Sequence, residues 1–498
     1  MSLKNVEHIV HLMFENRSFD NLLGFVYGPN DLPAHNFPAQ NPTTFDGLAF
    51  GGPYVNLDKA GKKVTAKMPT TKFGNKSPNV VPTPDPGEPF DDVAQQLGGP
   101  PPDMSGFVAN YEKRKGIKAT LVPQIMQSYS PEQLPVISKL ARSFAVSDRW
   151  FCSMPTQTWP NRGFAHAGSS AGKVTNGKPP IPWRIDTIFT CLEKLNIPWK
   201  VYHDTIYEPA LTRIQFFKHW ADALDTRFLR IKHFFNACNA PANAPAKMKL
   251  PKYSFVEPRF LAERVLLDVH HSEDYHPPNN VQHAEKFLAD VYNAIRSCPY
   301  RDKILLVITF DEHGGTYDHV PPPDGAKPPK PNPVAENGFP YDRFGVRVPA
   351  IVVSSWVKPG TVFRSDTDVP FDHTSVLATL RDWLKIPANK FLPSPRIQAA
   401  PTLANLLTEE QPLANWPEVT PIFSAEESLE AVDVEESTVL DQPPDDLENS
   451  MVAATRQYVA YRTGETALEA VAPPPQTRRD AREEMRRMML TDSPAEPQ

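Results

Sequence analysis

Residues 303–310 read Lys-Ile-Leu-Leu-Val-Ile-Thr-Phe, and Asp311-Glu312-His313-Gly314-Gly315 follow at once. A continuous apolar run of this length marks a strand buried on both faces, as in a mostly parallel sheet covered by helices. Two adjacent charges at the mouth of such a strand are costly unless they are solvated or bound. The stretch before it, roughly His283 to Ser297, has helical periodicity and can supply a crossover. Four further segments read as strands: Val6 to Phe14, Phe144 to Phe151, Ile197 to Tyr202 and Val348 to Ser354. Thr374 to Leu384 reads as a helix, and Met154 to Arg162 as a tight polar turn before a helix from Gly163. The pattern predicts an α/β fold with a mostly parallel central sheet, whose functional groups lie beyond the C-terminal strand ends.

Of 498 residues, 40% are hydrophobic and 22% charged, enough for a large core. The net charge of −6 leaves no basic excess to neutralise phosphates, which argues against a nucleic-acid binder. Proline is the compositional outlier at 56 residues, about twice the usual ~5%. Much of it falls in residues 28–103, read as a long insertion folded over something, such as an active-site wall. Cys152, Cys191, Cys238 and Cys298 show no C-x-x-C spacing, so they make no zinc ribbon and fit a reducing compartment or one incidental bridge. No run approaches the ~18 apolar residues of a membrane span. No leader is legible at the N-terminus, which suggests a cytoplasmic protein or one exported by a non-classical route. Residues 1–423 are expected to form the catalytic domain. Residues 424–498 differ in kind: Ser424 to Asn449 holds ten acidic residues and no Lys or Arg, and a helical piece follows. This segment reads as a partly disordered appendage. Its removal is expected to spare turnover of a small soluble substrate.

Polar clusters stand at the strand ends: Glu15-Asn16, Thr158 with Asn161, His203-Asp204 and Asp311-Glu312-His313. Asp274-Tyr275-His276 and Asp372-His373 add two more in loops. Carboxylates, an amide oxygen and a hydroxyl make an oxygen-rich site for a hard or borderline divalent cation. Such a site can bind a phosphate ester and activate the hydroxyl. Structural roles are open beside these: Glu15 and Asn16 can start a helix, Thr158 can open a turn, His276 can pack a loop, and Asp372-His373 can cap the helix at Thr374. His8 and His11 read as satisfied structural residues. The spacing by itself supports a metal-dependent hydrolase.

Glu15-Asn-Arg-Ser-Phe-Asp20 with Gly24, Thr158-Trp-Pro-Asn-Arg162, Asp311-Glu-His-Gly-Gly315 with Tyr317-Asp-His319, and Phe371-Asp-His-Thr-Ser375 occur in this order. Together they resemble the bacterial phospholipase C / acid phosphatase family, a branch of the alkaline phosphatase superfamily, from about Val6 to Leu407. The resemblance implies an alkaline-phosphatase-like three-layer sandwich and a phosphoric-ester hydrolase with a covalent phospho-enzyme. It implies a divalent metal ion on Glu15, Asn16, Asp311 and Glu312, and Thr158 as nucleophile. His203 and His276 fall near catalytic positions, and Asn161, Asp204, His313 and His373 near substrate-binding ones. The substrate is a phospholipid or a small soluble monoester. A non-catalytic binding or delivered protein that works through its tail is the rival reading. One position departs from the pattern: the family's Asp-Pro-Gly-His is here Asp85-Pro-Gly-Glu88. Glu88 sits either beside the phosphate, with a raised pKa, or on a re-routed surface loop.

Overall fold

The computed structural model describes residues 3–71, 77–177, 182–205, 209–261, 263–265, 268–330, 333–422, 440–441, 443–464 and 473–492. Nine strands build its central sheet: β1 (His8–Phe14), β2 (His35–Phe37), β3 (Ala145–Ser147), β4 (Trp199–His203), β5 (Phe228–Arg230), β6 (Tyr253–Glu257), β7 (Ile304–Phe310), β8 (Ala350–Val353) and β9 (Thr361–Phe363). Their order is β2-β9-β3-β8-β7-β1-β6-β4-β5. β8 runs antiparallel to both neighbours. Every other pairing in the sheet is parallel. The central pair, β1 and β7, is buried along its whole length. Each fully buried Ile, Leu or Val there contributes roughly 1.5–3 kcal/mol.

Five helices matter for the site: α1 (Thr158–Ala167), α2 (Val281–Arg296), α3 (Thr374–Trp383), α4 (Asp446–Thr463) and α5 (Arg478–Asp492). Side chains alternate across a strand, so Phe14 and His11 of β1 face opposite sides. Phe14 packs edge-on against Phe287 of α2, with ring centroids 6.3 Å apart. His11 meets Phe255 of β6, which in turn meets His166 of α1. Helices therefore cover both faces and the fold has three layers. His11 is buried and bonded to Thr309 Oγ1 at 2.7 Å, while His8 bonds the Pro251 carbonyl at 2.9 Å. All four cysteines are buried and free.

Two expectations change. The helix expected from Gly163 starts at Thr158, because Pro160 falls in its first turn, where a missing N–H and a fixed φ do no harm. In the C-terminal segment, residues 423–439 lie outside the described residues, but α4 and α5 dock on the domain. Leu447, Met451, Ala454, Tyr458, Ala481 and Met485 share an apolar core with Trp159, Trp183, Leu211, Ile214 and Phe260. Among the described residues no helix is long and apolar enough to cross a membrane.

Candidate active site at the ends of the central strands

The parallel register pairs Phe14 with Phe310, so the residues after each strand emerge side by side. Asp311 N–H continues the ladder to the Phe14 carbonyl (3.1 Å), and Arg17 N–H donates to the Glu312 carbonyl (3.1 Å). Asn16 N–H donates to Asp311 Oδ1 at 3.1 Å, and Glu15 N–H to Asp274 Oδ1 at 2.9 Å. Asn16 has φ +60°, a left-handed conformation that asparagine tolerates. Gly314 closes on it so tightly that a Cβ would lie 2.1 Å from the Asn16 carbonyl oxygen. The sharp turn after each strand thus holds Glu15, Asn16, Asp311 and Glu312 in one buried group.

Thr158 is the first residue of α1, where the helix dipole favours an anion. Both of its neighbours are clamped to α4. Gln157 Nε2 donates to Asp446 Oδ2 (3.3 Å), and Trp159 Nε1 to Ser450 Oγ (2.7 Å). The Asn161 amide is directed at the preceding loop. Its Oδ1 accepts from Met154 N–H, and Nδ2 donates to the carbonyls of Met154, Thr156 and Gln157. These bonds fix the turn that presents Thr158.

Arg162, one turn on, lies among the carboxylates. Its Nε is 3.0 Å from Glu15 Oε1 and 3.7 Å from Asp311 Oδ2, and Nη1 is 3.4 Å from Glu257 Oε1. One buried guanidinium does not saturate the group. Glu15 Oε2, Asn16 Oδ1, Thr158 Oγ1, Asp311 Oδ2 and Glu312 Oε1 are all buried without a hydrogen-bond partner. Leaving one such group bare costs about 1–3 kcal/mol, more when it is charged. Burial pushes the Glu15, Asp311 and Glu312 carboxyls up, and the Asp311 charge raises Glu15 and Glu312 further. A divalent cation beside these carboxylates would reverse that shift, and the oxygen-rich chemistry of the donors suits the metal ion that the family suggests.

The remaining expected residues divide. His313 Nε2 meets Gln96 Oε1 at 2.8 Å, and its Nδ1 lies 3.3 Å from Glu312 Oε2. His373 donates from Nε2 to the Asp311 carbonyl at 2.6 Å. Burial brings the two rings down to about 3 and about 4, so both are neutral near pH 7. His276 stands at the site beside Asp85 and Glu88. Glu88 is buried and bonded to Asn16 Nδ2 at 2.5 Å, so the Asp-Pro-Gly-Glu loop has not moved to the surface. His203 and Asp204 turn elsewhere: His203 Nδ1 meets Thr205 Oγ1 at 2.9 Å, and Asp204 pairs with Arg259 at 2.6 Å. The Asp372 carboxylate accepts from Thr374 N–H (3.0 Å) and Ser153 Oγ (2.9 Å), which starts α3.

Arg162 and Glu257 were missed as site residues, and Asp274 was given only as part of a loop cluster with His276. Glu257 carried a readable signal, since it ends a buried strand with a charge just as Glu15 does. Arg162 lies inside the Trp-Pro-Asn-Arg run, but nothing in its spacing shows what it faces.

A second charged group, Asp20, Asp318 and His319, could gather around a metal by its atom types. The Arg347 guanidinium already stands there, 2.9 Å from both Asp20 and Asp318. His319 is held between Asp20 (2.6 Å) and Asp46 (3.0 Å). Burial opposes charge on this ring, but Asp20 and then Asp46 outweigh it and hold its pKa at about 9. Because the folded pKa lies above the ordinary 6.5, this stabilisation is complete below about pH 6.5 and is lost as pH rises through about 9. At 1.36 kcal/mol per pKa unit it amounts to about 3 kcal/mol. His319→Gln should therefore flatten the fall in unfolding free energy between pH 6.5 and 9.5. Denaturant titrations with the parent's slope in that window would sink this assignment.

Comparison with known proteins gives the chain its family. The model of the Phosphoesterase family matches residues 6–387, and the chain belongs to that family. It is 33% identical over 445 residues to non-specific phospholipase C3 of Arabidopsis thaliana, covering 84% of this chain and 77% of that protein. It is 28% identical over 425 residues to phospholipase C A of Mycobacterium tuberculosis, covering 77% and 74%. Similar solved structures include a protein in the alkaline phosphatase superfamily from Vibrio parahaemolyticus (12% identity, TM-score 0.29, 50% of this chain and 60% of that one). Another is the phosphonate monoester hydrolase of Agrobacterium radiobacter (15% identity, TM-score 0.30, 59% and 77%). The chain is a phosphoric-ester hydrolase with a three-layer α/β fold built on a mostly parallel sheet.

Proposed function

We propose that this enzyme is a metal-dependent hydrolase of the phospholipase C type, working through a phosphothreonine on Thr158. One observation carries the reading: Glu15, Asn16, Thr158, Asp311 and Glu312 each keep a buried side-chain oxygen with no partner. Glu15, Asn16, Asp311 and Glu312 would hold a divalent cation, which supplies Lewis-acid charge and lowers the pKa of a coordinated hydroxyl. Thr158 Oγ1 forms the bond to phosphorus while the ester oxygen departs in line. Arg162 contributes fixed positive charge and an unpartnered Nη2 for a phosphoryl oxygen. The N-terminus of α1 adds its dipole. Water then cleaves the bond between Thr158 Oγ1 and phosphorus, which returns a proton to the hydroxyl and releases the phosphorylated headgroup, and two in-line steps retain configuration at phosphorus. The phospholipid preference rests on the relatives, which are named phospholipases C.

Two measurements test this. A choline phospholipid compared with its phosphorylated headgroup separates a phospholipase from a phosphatase on soluble monoesters. Asp311→Asn and Glu312→Gln should each weaken binding of a divalent cation by about 10-fold or more, since each removes one anionic charge from the shell. Parent-like cation affinity in either variant would remove that side chain from the ligand set.

A further inference from the structure

Asp85, Glu88 and His276 stand beside the strand-end carboxylates but are not used by the reaction proposed above. Asp85 and Glu88 come from the proline-rich insertion, just ahead of the helix Phe90–Leu97. His276 comes from the loop before α2. One ligating atom of each lies within 4.8 Å of the other two, and all three side chains are buried.

The hydrogen bonding fixes what these atoms can do. His276 Nδ1 meets the Pro277 carbonyl at 2.6 Å, so Nδ1 carries a proton. A backbone carbonyl on one ring nitrogen is the arrangement that leaves the other free to bind a metal. That other nitrogen, Nε2, lies 3.6 Å from Glu88 Oε1. With Nε2 unprotonated, its lone pair and that carboxylate oxygen repel unless a positive charge stands between them; with Nε2 protonated, the ring pairs with Glu88 directly. Asp85 Oδ1 is buried, has no hydrogen-bond partner, and lies 3.9 Å from the other ring nitrogen, Nδ1. Glu88 in turn touches Asn16 Nδ2, whose own Oδ1 is bare. Two carboxylates and an imidazole thus stand within 4.8 Å of one another, with Arg478 the nearby fixed cation. Two oxygens and one nitrogen suit a borderline divalent ion such as Zn²⁺ or Mn²⁺.

We propose that Asp85, Glu88 and His276 bind a divalent cation of their own, adjacent to the one held by Glu15, Asn16, Asp311 and Glu312. The inference rests on the proposed function only for what the ion does there: with two cations, both the attacking and the leaving oxygen of a displacement can be neutralised. The ligands are separate, and the Asn16–Glu88 contact joins the two sets. Glu88 is the residue that makes the site, since its carboxylate supplies an anionic oxygen beside His276 Nε2.

The test counts ions. Full-length protein stripped with chelator is titrated with Mn²⁺, and bound metal is measured directly. Electron paramagnetic resonance then reports whether bound ions are coupled. The parent should bind two Mn²⁺ per chain with a coupled spectrum. Glu88→Gln, close to isosteric, should bind one with an uncoupled spectrum, and Asp85→Asn should behave alike if Glu88→Gln folds poorly. One ion in the parent, kept in Glu88→Gln and lost in Glu312→Gln, would overturn the second site and leave the first standing. One ion lost in Glu88→Gln and kept in Glu312→Gln would support this site and remove the strand-end one. Two ions in the parent, both kept in Glu88→Gln and Asp85→Asn, would also overturn the proposal: a proton on Nε2 then joins His276 to Glu88.

Discussion

Thr158→Ala is expected to lower kcat by about three to six orders of magnitude, the range seen when a covalent nucleophile is removed outright. Thr158 Oγ1 is buried, unpartnered, and set at the first residue of α1. Removing it breaks no hydrogen bond, so the melting temperature should stay close to the parent's. Thr158→Ser keeps the hydroxyl and should recover most of the rate, because Asn161 still holds the turn through its four bonds. Rapid-quench labelling with a radioactive phosphate ester should find a stable phosphoryl adduct on the parent and none on Thr158→Ala. Turnover within about ten-fold of the parent in Thr158→Ala would move the nucleophile to another hydroxyl or to water.

The parts of this architecture that were legible in the sequence share one physical cause. β7 is apolar on both faces because both faces are covered, so its run of Ile, Leu and Val reads directly as a central strand. The strand ends were legible for the opposite reason: a charge directly after a buried run is costly and marks a place where something is bound. Glu15 and Asp311 both show that signature. β8 shows the limit. Val348 to Ser354 reads correctly as a buried strand, but its antiparallel direction depends on partners that its composition does not encode. The start of α1 was misplaced because Pro160 reads as a breaker, although proline is accepted in a first helical turn. His203 and Asp204 also stand at a strand end, yet β4 lies near the sheet's edge, and Asp204 finds Arg259 instead of the catalytic group. Arg162 and Glu88 gain their meaning from contacts across 147 and 72 residues of chain, and no local pattern records those.

The C-terminal segment packs on the domain more closely than its composition suggests. Acidic, proline-punctuated chain reads as an appendage, and its removal was expected to spare turnover. α4 and α5 instead bury Leu447, Met451, Val452, Tyr458, Ala481 and Met485 against Trp159, Trp183 and Phe260. At roughly 1.5–3 kcal/mol for a large buried side chain, several such losses match the 5–15 kcal/mol that holds a typical domain together. The ends of the segment are pinned by charge as well. Asp445 and Glu448 form a capping box at the start of α4, and Arg478 of α5 pairs with both at 3.0 and 3.2 Å. Truncation after residue 440 should therefore give insoluble protein or a melting temperature lower by ten degrees or more, on the scale of about 2–4 °C per kcal/mol. A gentler variant isolates the effect on the site. Ser450→Ala removes the acceptor for Trp159 Nε1, next to Thr158, together with the hydroxyl's own bond to the Leu447 carbonyl. An unpaired buried N–H costs about 1–3 kcal/mol, so Ser450→Ala should lower stability by that amount and also reduce kcat on a small aryl phosphate. Truncated protein whose melting curve and aryl phosphate turnover superimpose on the parent's would show that the docking of α4 and α5 adds nothing to either.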